Sequence, residues 1–343
     1  MTTISSVYPG TEWGMTSPGE VDVNAGKLED AKQRLSRAAE RYGSDRYRVV
    51  VVQGGRLVAE WNYGLESQAQ VWMESATKSI FSCVLGIAIE DGKIESADSK
   101  LIDYYPEAMD VPDGTGPKPG RYAFPKDRDI TFRQLISNTS GYMKPGEEPG
   151  EVFHYQTFGM NVLTHAIAKT YGLYDVSRPE ESGYSRLIDD WLRKPIGGTW
   201  GYYLKNFDLV SEARINIFGY YTGVAATALD MARLGLLWMN WGRWEETQVV
   251  PEPWLQQATK TATNIVDSCP YEQWRYGYGF WTNEHGQDFP NLPRDSYSAR
   301  GAGYQHIWVC PSLSLVVVRS PALWDSQGVR DDDLLENIAG ACR

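Results

Sequence analysis

The chain has 343 residues, 42% of them hydrophobic, enough to bury a large core in one big domain or two interleaved ones. Its 44 acidic against 33 basic residues give a net charge of −11, which argues against nucleic acid as a partner and suits a role in solubility. The longest apolar runs, such as Val49–Val52 and Val84–Ile89, are far too short for a bilayer, and the first twenty residues have neither the basic start nor the apolar run of a secretory leader; the expectation is a cytoplasmic protein with no membrane partner.

In chain order, residues 26–41 carry apolar side chains at helical spacing and predict an amphipathic helix. Two β-branched runs around Gly54-Gly55 predict a hairpin. Ser75 to Asp91 reads as a largely buried helix that stops near Gly92. From there to about residue 250 the pattern is helix and loop, with helices expected at Phe132–Ile136, Met160–Thr170, Tyr184–Arg193 and Ala225–Asn240. Strands return at Tyr276–Thr282, Tyr297–Cys310 and Leu313–Arg319, and Asp331–Cys342 reads as a closing helix. Strands at both ends with helices between them predict an α/β (α+β) fold. One antiparallel sheet flanked by helices would be assembled from residues 1–74 and 251–343, a mostly helical domain would span 75–250, and Ser75 would lie at the junction. Cys83, Cys269, Cys310 and Cys342 stand far apart without C-x-x-C spacing, so reduced thiols are expected rather than disulfides or a zinc site.

Ser75-Ala76-Thr77-Lys78 fits S-x-x-K. Three residues apart on a helix, the hydroxyl and the amine share a face and come within hydrogen-bonding reach. A helix start offers free N–H groups to an oxyanion, and a lysine desolvated there can be neutral near pH 7 and take the serine proton. Alone the motif is weak: roughly one such match is expected by chance in a chain of this length, and a capping serine followed by a surface lysine explains it equally. Here, however, the lysine heads an apolar helix, SIFSCVLGIAI, where a purely solvating residue has little reason to stand.

Several long, ordered segments carry a resemblance. SATKSIFSCVLGIAIEDGKIESADSKLIDYYPE, ITFRQLISNTSGY at 130–142 and GVAATALDMARLGLLWMNWGRW at 223–244 are similar to the serine β-lactamase and penicillin-binding-protein type of hydrolase. The pattern resembles most the branch that contains 6-aminohexanoate-dimer hydrolase and related carboxylesterases. The resemblance implies a β-lactamase/transpeptidase-like fold, Ser75 as nucleophile, Lys78 as proton acceptor and no cofactor or metal. By its flanks, FHYQTFGMNVLTHAI places Tyr155 at the tyrosine of the family's second motif, where Lys78 would lower its pKa so that it relays a proton to the leaving group. Thr157 then stands where the family has an asparagine. YSARGAGYQHIWVCPSLSLVVV at 297–318 aligns with the strand that carries K-T-G, so Ala299-Arg300-Gly301 replaces that triplet. Gly301 would let substrate approach, and the Ala302 N–H would pair with that of Ser75 as an oxyanion hole. Arg300 either supplies the missing cation or points away and solvates the strand. Asn216, Tyr220 and Tyr221, in RINIFGYYTG, lie where related enzymes face substrate; the alternative is a tyrosine-rich packed loop.

No G-x-S-x-G elbow or HExxH is present, and of the four histidines only His154 neighbours a site residue, where a satisfied structural histidine is the expectation. Three functions are compatible: a carboxylesterase or amidase acting on a small ester or amide, an acyltransferase using the same acyl-enzyme, and a non-catalytic ligand-binding member. The departures at Thr157 and Ala299 point away from penicillins. Self-association into a homodimer stays open.

Overall fold

Valine at every position from 49 to 52 leaves the first strand no polar face, and the fold buries both. In the computed structural model, which describes residues 7–206, 215–322 and 331–342, Tyr47–Gln53 lies inside a six-stranded antiparallel sheet. The order across it is Arg56–Tyr63, Tyr47–Gln53, Leu315–Ala322, Gln305–Cys310, Tyr297–Gly301 and Trp281–Thr282. The period of two then sorts side chains between two cores. Val50, Val52, Ile307, Val309, Val316 and Val318 face one; Val49, Val51, Trp308, Leu315 and Val317 face the other. The sheet is thus assembled from both ends of the chain, as the sequence predicts.

The Gly54-Gly55 turn closes the first hairpin with φ of 56° and 84°, conformations that suit glycine, and a Cβ on Gly55 would lie 1.9 Å from the Val7 carbonyl oxygen. The Ala25–Tyr42 helix lays Leu28, Ala31 and Leu35 on the outer face beside Leu335 and Ile338 of the Asp331–Ala341 helix. The inner face receives the Ala228–Met239 helix, which packs on three central strands. A Cβ on Gly235 would come within 2.4 Å of Val316 Cγ1, so the absent side chain sets how closely this helix seats. The Thr77–Glu90 helix is buried along most of its length in the same core. No helix among the described residues is long and apolar enough to cross a membrane.

Several expected elements divide. Residues 225–240 are not one helix: Tyr221–Ala226 is a strand between Val71–Trp72 and Gly201–Lys205 in a second, three-stranded sheet. The helix begins only after Thr227, whose hydroxyl accepts the Asp230 N–H at 3.0 Å while the Asp230 carboxylate bonds back to it. Apolar residues here satisfy helix and strand patterns alike, and tertiary pairing decides. Residues 297–310 are two strands, broken by a turn at Ala302 to Tyr304. Of 276–282 only Trp281–Thr282 joins the large sheet, because the chain doubles back at Gly279 (φ 79°) and Tyr276 bridges to Trp281. Tyr184–Arg193 starts as an α-helix and ends in a wider π turn from Asp189.

Candidate active site

The nucleophile candidate sits on a single 3₁₀ turn, Glu74–Ala76, that feeds straight into the Thr77–Glu90 helix. Glu74 immediately before it has φ 50°, a left-handed conformation that a non-glycine residue holds only when its surroundings enforce it. Two contacts do so. The Met73 N–H donates to the Val224 carbonyl at 2.8 Å, and the Tyr221 hydroxyl donates to the Glu74 carbonyl at 2.6 Å. The small second sheet therefore anchors the turn that presents Ser75.

Lys78 Nζ donates to Ser75 Oγ at 2.7 Å. The lysine is 1% exposed, with its ammonium 4.9 Å from the centre of the Tyr155 ring and 5.5 Å from that of Tyr221. Burial pulls its pKa down to about 7, with the Glu74 carboxylate opposing. The direction expected for Tyr155 is corrected: burial pushes its phenol up to about 12, against a weaker downward pull from Ser75. A lysine that is itself losing its charge cannot hold a phenolate, and low dielectric penalises the anion.

Gly301 closes the site from the large sheet. A Cβ there would fall 2.0 Å from the Met73 carbonyl oxygen and 3.0 Å from the amide nitrogens of Ser75 and Ala76, so only glycine lets this strand pass beside Ser75. Ala302 follows at the exposed start of the turn. Ala299 is buried in the inner core. Arg300 is directed to Asp288, with both guanidinium ends on the carboxylate and Nε donating to Ser298 Oγ at 3.0 Å. Its guanidinium also lies against the rings of Phe289 at 4.7 Å and Trp281 at 5.4 Å. Trp281 in turn stacks on Tyr155 at 5.7 Å, and Tyr276 meets Tyr155 edge-on at 5.9 Å.

The structure thus gathers Ser75, Lys78, Tyr155, Tyr221 and Gly301. Asn216 makes its contacts elsewhere, its amide donating to the Val176 carbonyl and its own carbonyl accepting the Tyr174 hydroxyl. Tyr220, four residues on, is half-buried. His154 pairs with Glu147 at 2.8 Å. The sequence reading missed Glu74, Trp281, Tyr276 and Asn138, whose side-chain oxygen accepts the Gln156 N–H at 2.9 Å and so fixes the Tyr155 segment. The only hint to the two aromatics is their place in the aromatic-rich stretch WRYGYGFWT.

The chain is 24% identical to 6-aminohexanoate-dimer hydrolase of Paenarthrobacter ureafaciens over 328 residues, covering 87% of this chain and 76% of that protein. It is 33% identical to beta-lactamase-like protein 1 of Dictyostelium discoideum over 131 residues, 36% of this chain and only 20% of that longer protein. Among solved structures, EstCE1, a hydrolase with promiscuous acyltransferase activity, superposes with a TM-score of 0.63 at 14% identity over 92% of this chain and 98% of that one, a likeness of fold. The beta-lactamase family model matches residues 31–339, and the chain belongs to that family.

Proposed function

We propose that the chain is a serine hydrolase that cleaves a small ester or amide through an acyl-enzyme on Ser75. The observation that carries this reading is the 2.7 Å hydrogen bond between Ser75 Oγ and a buried Lys78 whose pKa falls to about 7. Ser75 Oγ attacks the carbonyl carbon while its proton passes to Lys78 Nζ. The Ser75 and Ala302 N–H groups hold the resulting oxyanion. When the intermediate collapses, Tyr155 gives its proton to the departing alcohol or amine and takes one from Lys78. Its high pKa suits this, since a phenol that stays protonated can donate and be refilled without ever carrying charge. Water then attacks the acyl-enzyme, its proton returning through the same pair, and Ser75 is released.

The strand that would carry the K-T-G lysine offers a buried Ala299 and an Arg300 held by Asp288. This supports esters and open-chain amides over penicillins as substrates. The test is labelling by a fluorophosphonate probe together with turnover of p-nitrophenyl esters of graded chain length. We expect both in the wild type and neither in Ser75→Ala. A wild type that neither labels nor turns over any ester would refute the reading, and nitrocefin hydrolysed as fast as the esters would overturn the substrate class.

A further inference from the structure

Tyr155 belongs to the wall of a cavity as well as to the Ser75 site. The cavity has a volume of about 450 Å³, and its wall also includes Lys118, Arg121, Lys144, His154 and Thr157. In a chain of net charge −11 this concentration of basic side chains is out of keeping with the rest of the molecule.

Lys144 is the telling member. It is only 4% exposed, yet its Nζ makes no hydrogen bond among the described residues. The Glu147 carboxylate stands 3.4 Å away as its ion-pair partner, a single long contact that leaves other donors of the ammonium unused. That same carboxylate is shared with His154 through its other oxygen. Burial pulls the Lys144 amine down to about 8, Glu147 opposes, and Arg121 and Lys126 add like-charge repulsion. Lys126 already has Asp127 and the Gly141 carbonyl, whereas the Arg121 guanidinium reaches one backbone carbonyl, that of Met143, at 3.5 Å. A buried ammonium with unused donors is costly, and a carboxylate in the cavity would satisfy it.

We propose that this cavity is an anion subsite that takes a carboxylate borne by the substrate, with Lys144 and Arg121 as its charged contacts. The proposal rests on the Ser75 reading only for its link to catalysis, which runs through Tyr155. It narrows the substrate class to esters or amides that carry a carboxylate a few bonds from the reacting carbonyl.

The direct test needs no chemistry at Ser75. Calorimetric titration of the full-length Ser75→Ala protein with glutarate at pH 7 and low salt should show binding, and the uncharged glutaramide should not bind. Adding Lys144→Gln or Arg121→Gln should weaken glutarate about tenfold, the scale of a lost charge-assisted hydrogen bond; circular dichroism checks that each variant is folded, and Arg121→Gln, at the less buried residue, serves if Lys144→Gln is not. Absence of glutarate binding, or equal affinity for glutaramide, overturns the proposal. So does unchanged glutarate affinity in the folded variants. In the wild type, kcat/KM for mono-phenyl glutarate or for 4-acetoxybenzoate should exceed that of its neutral counterpart about tenfold, and no preference in either pair overturns the subsite while leaving the nucleophile intact. Failure of probe labelling, by contrast, strikes the Ser75 reading and not the glutarate result.

Discussion

Lys78 lies 4.9 Å from the Tyr155 ring and Lys144 shares a cavity wall with that tyrosine; both lysines are buried, and they are provisioned in opposite ways. Lys78 has a neutral hydroxyl as its hydrogen-bond partner and two aromatic faces around it, with the Glu74 carboxylate as a weaker, opposing influence. Lys144 has a carboxylate at 3.4 Å, which opposes the loss of charge that burial and the nearby Arg121 and Lys126 promote. The first surrounding favours giving up a proton near neutrality, which a base must do; in the second, the carboxylate partner favours keeping the charge, which an anion site must do. Burial alone does not assign a role to a lysine. What stands beside its nitrogen does.

The strongest way to break the comparison is Lys78→Met, which keeps the volume and removes the base. It should lower kcat/KM for esters by about 10³-fold, measured by steady-state turnover. The same variant should gain stability, because a buried amine that the fold holds below its free pKa is a cost the native state carries at neutral pH. The sign follows from proton counting. Between about 7, the folded value, and the ordinary lysine range near 10.5, the unfolded chain binds more protons, so wild-type stability rises with pH across that window. Lys78→Met should show a higher melting temperature at pH 7, by at least about 2 °C, and a flatter rise toward pH 10. A variant that melts earlier at pH 7 would mean the amine is better satisfied than its surroundings suggest. In the wild type, kcat/KM should climb as pH passes about 7, where Lys78 loses its proton.

Next in size, Tyr155→Phe should cost about 10²-fold in kcat, with a larger loss for amides than for activated p-nitrophenyl esters, whose leaving group needs no proton. Equal losses for the two would remove Tyr155 from the proton path. Smallest is Arg300→Met. The guanidinium is held by Asp288 and lies against Trp281, which stacks on Tyr155, so its removal should lower kcat by tenfold or less and leave KM nearly unchanged. A KM effect that dominates would instead make Arg300 a direct substrate contact.

Much of this was legible in the residues because it depends on local pattern. The Gly54-Gly55 hairpin, the buried helix behind S-x-x-K and the sheet built from both termini follow from periodicity and turn chemistry. The second sheet did not, since Gly201–Lys205 and Tyr221–Ala226 become strands only by pairing with each other and with Val71–Trp72. In the site, Ser75 and Lys78 are linked by a spacing that any helix enforces, so they could be read. The Trp281, Tyr276 and Tyr155 cluster joins residues more than a hundred positions apart, and no pattern in the chain encodes it. The Tyr155 pKa was misjudged for a related reason: motif alignment places a side chain but carries no information on how much water surrounds it.

Gly301 bears on how such a protein could change over time. The place where a methyl group would stand is 2.0 Å from the Met73 carbonyl oxygen and 3.0 Å from the Ser75 amide nitrogen. Glycine and alanine codons differ by one base, and an alanine here would press on the nucleophile's turn while the two hydrophobic cores stayed packed. A lineage could therefore lose the arrangement around Ser75 in one step and keep a stable body, which makes position 301 the first place to look when an intact-seeming relative of this chain fails to react with a serine-directed probe.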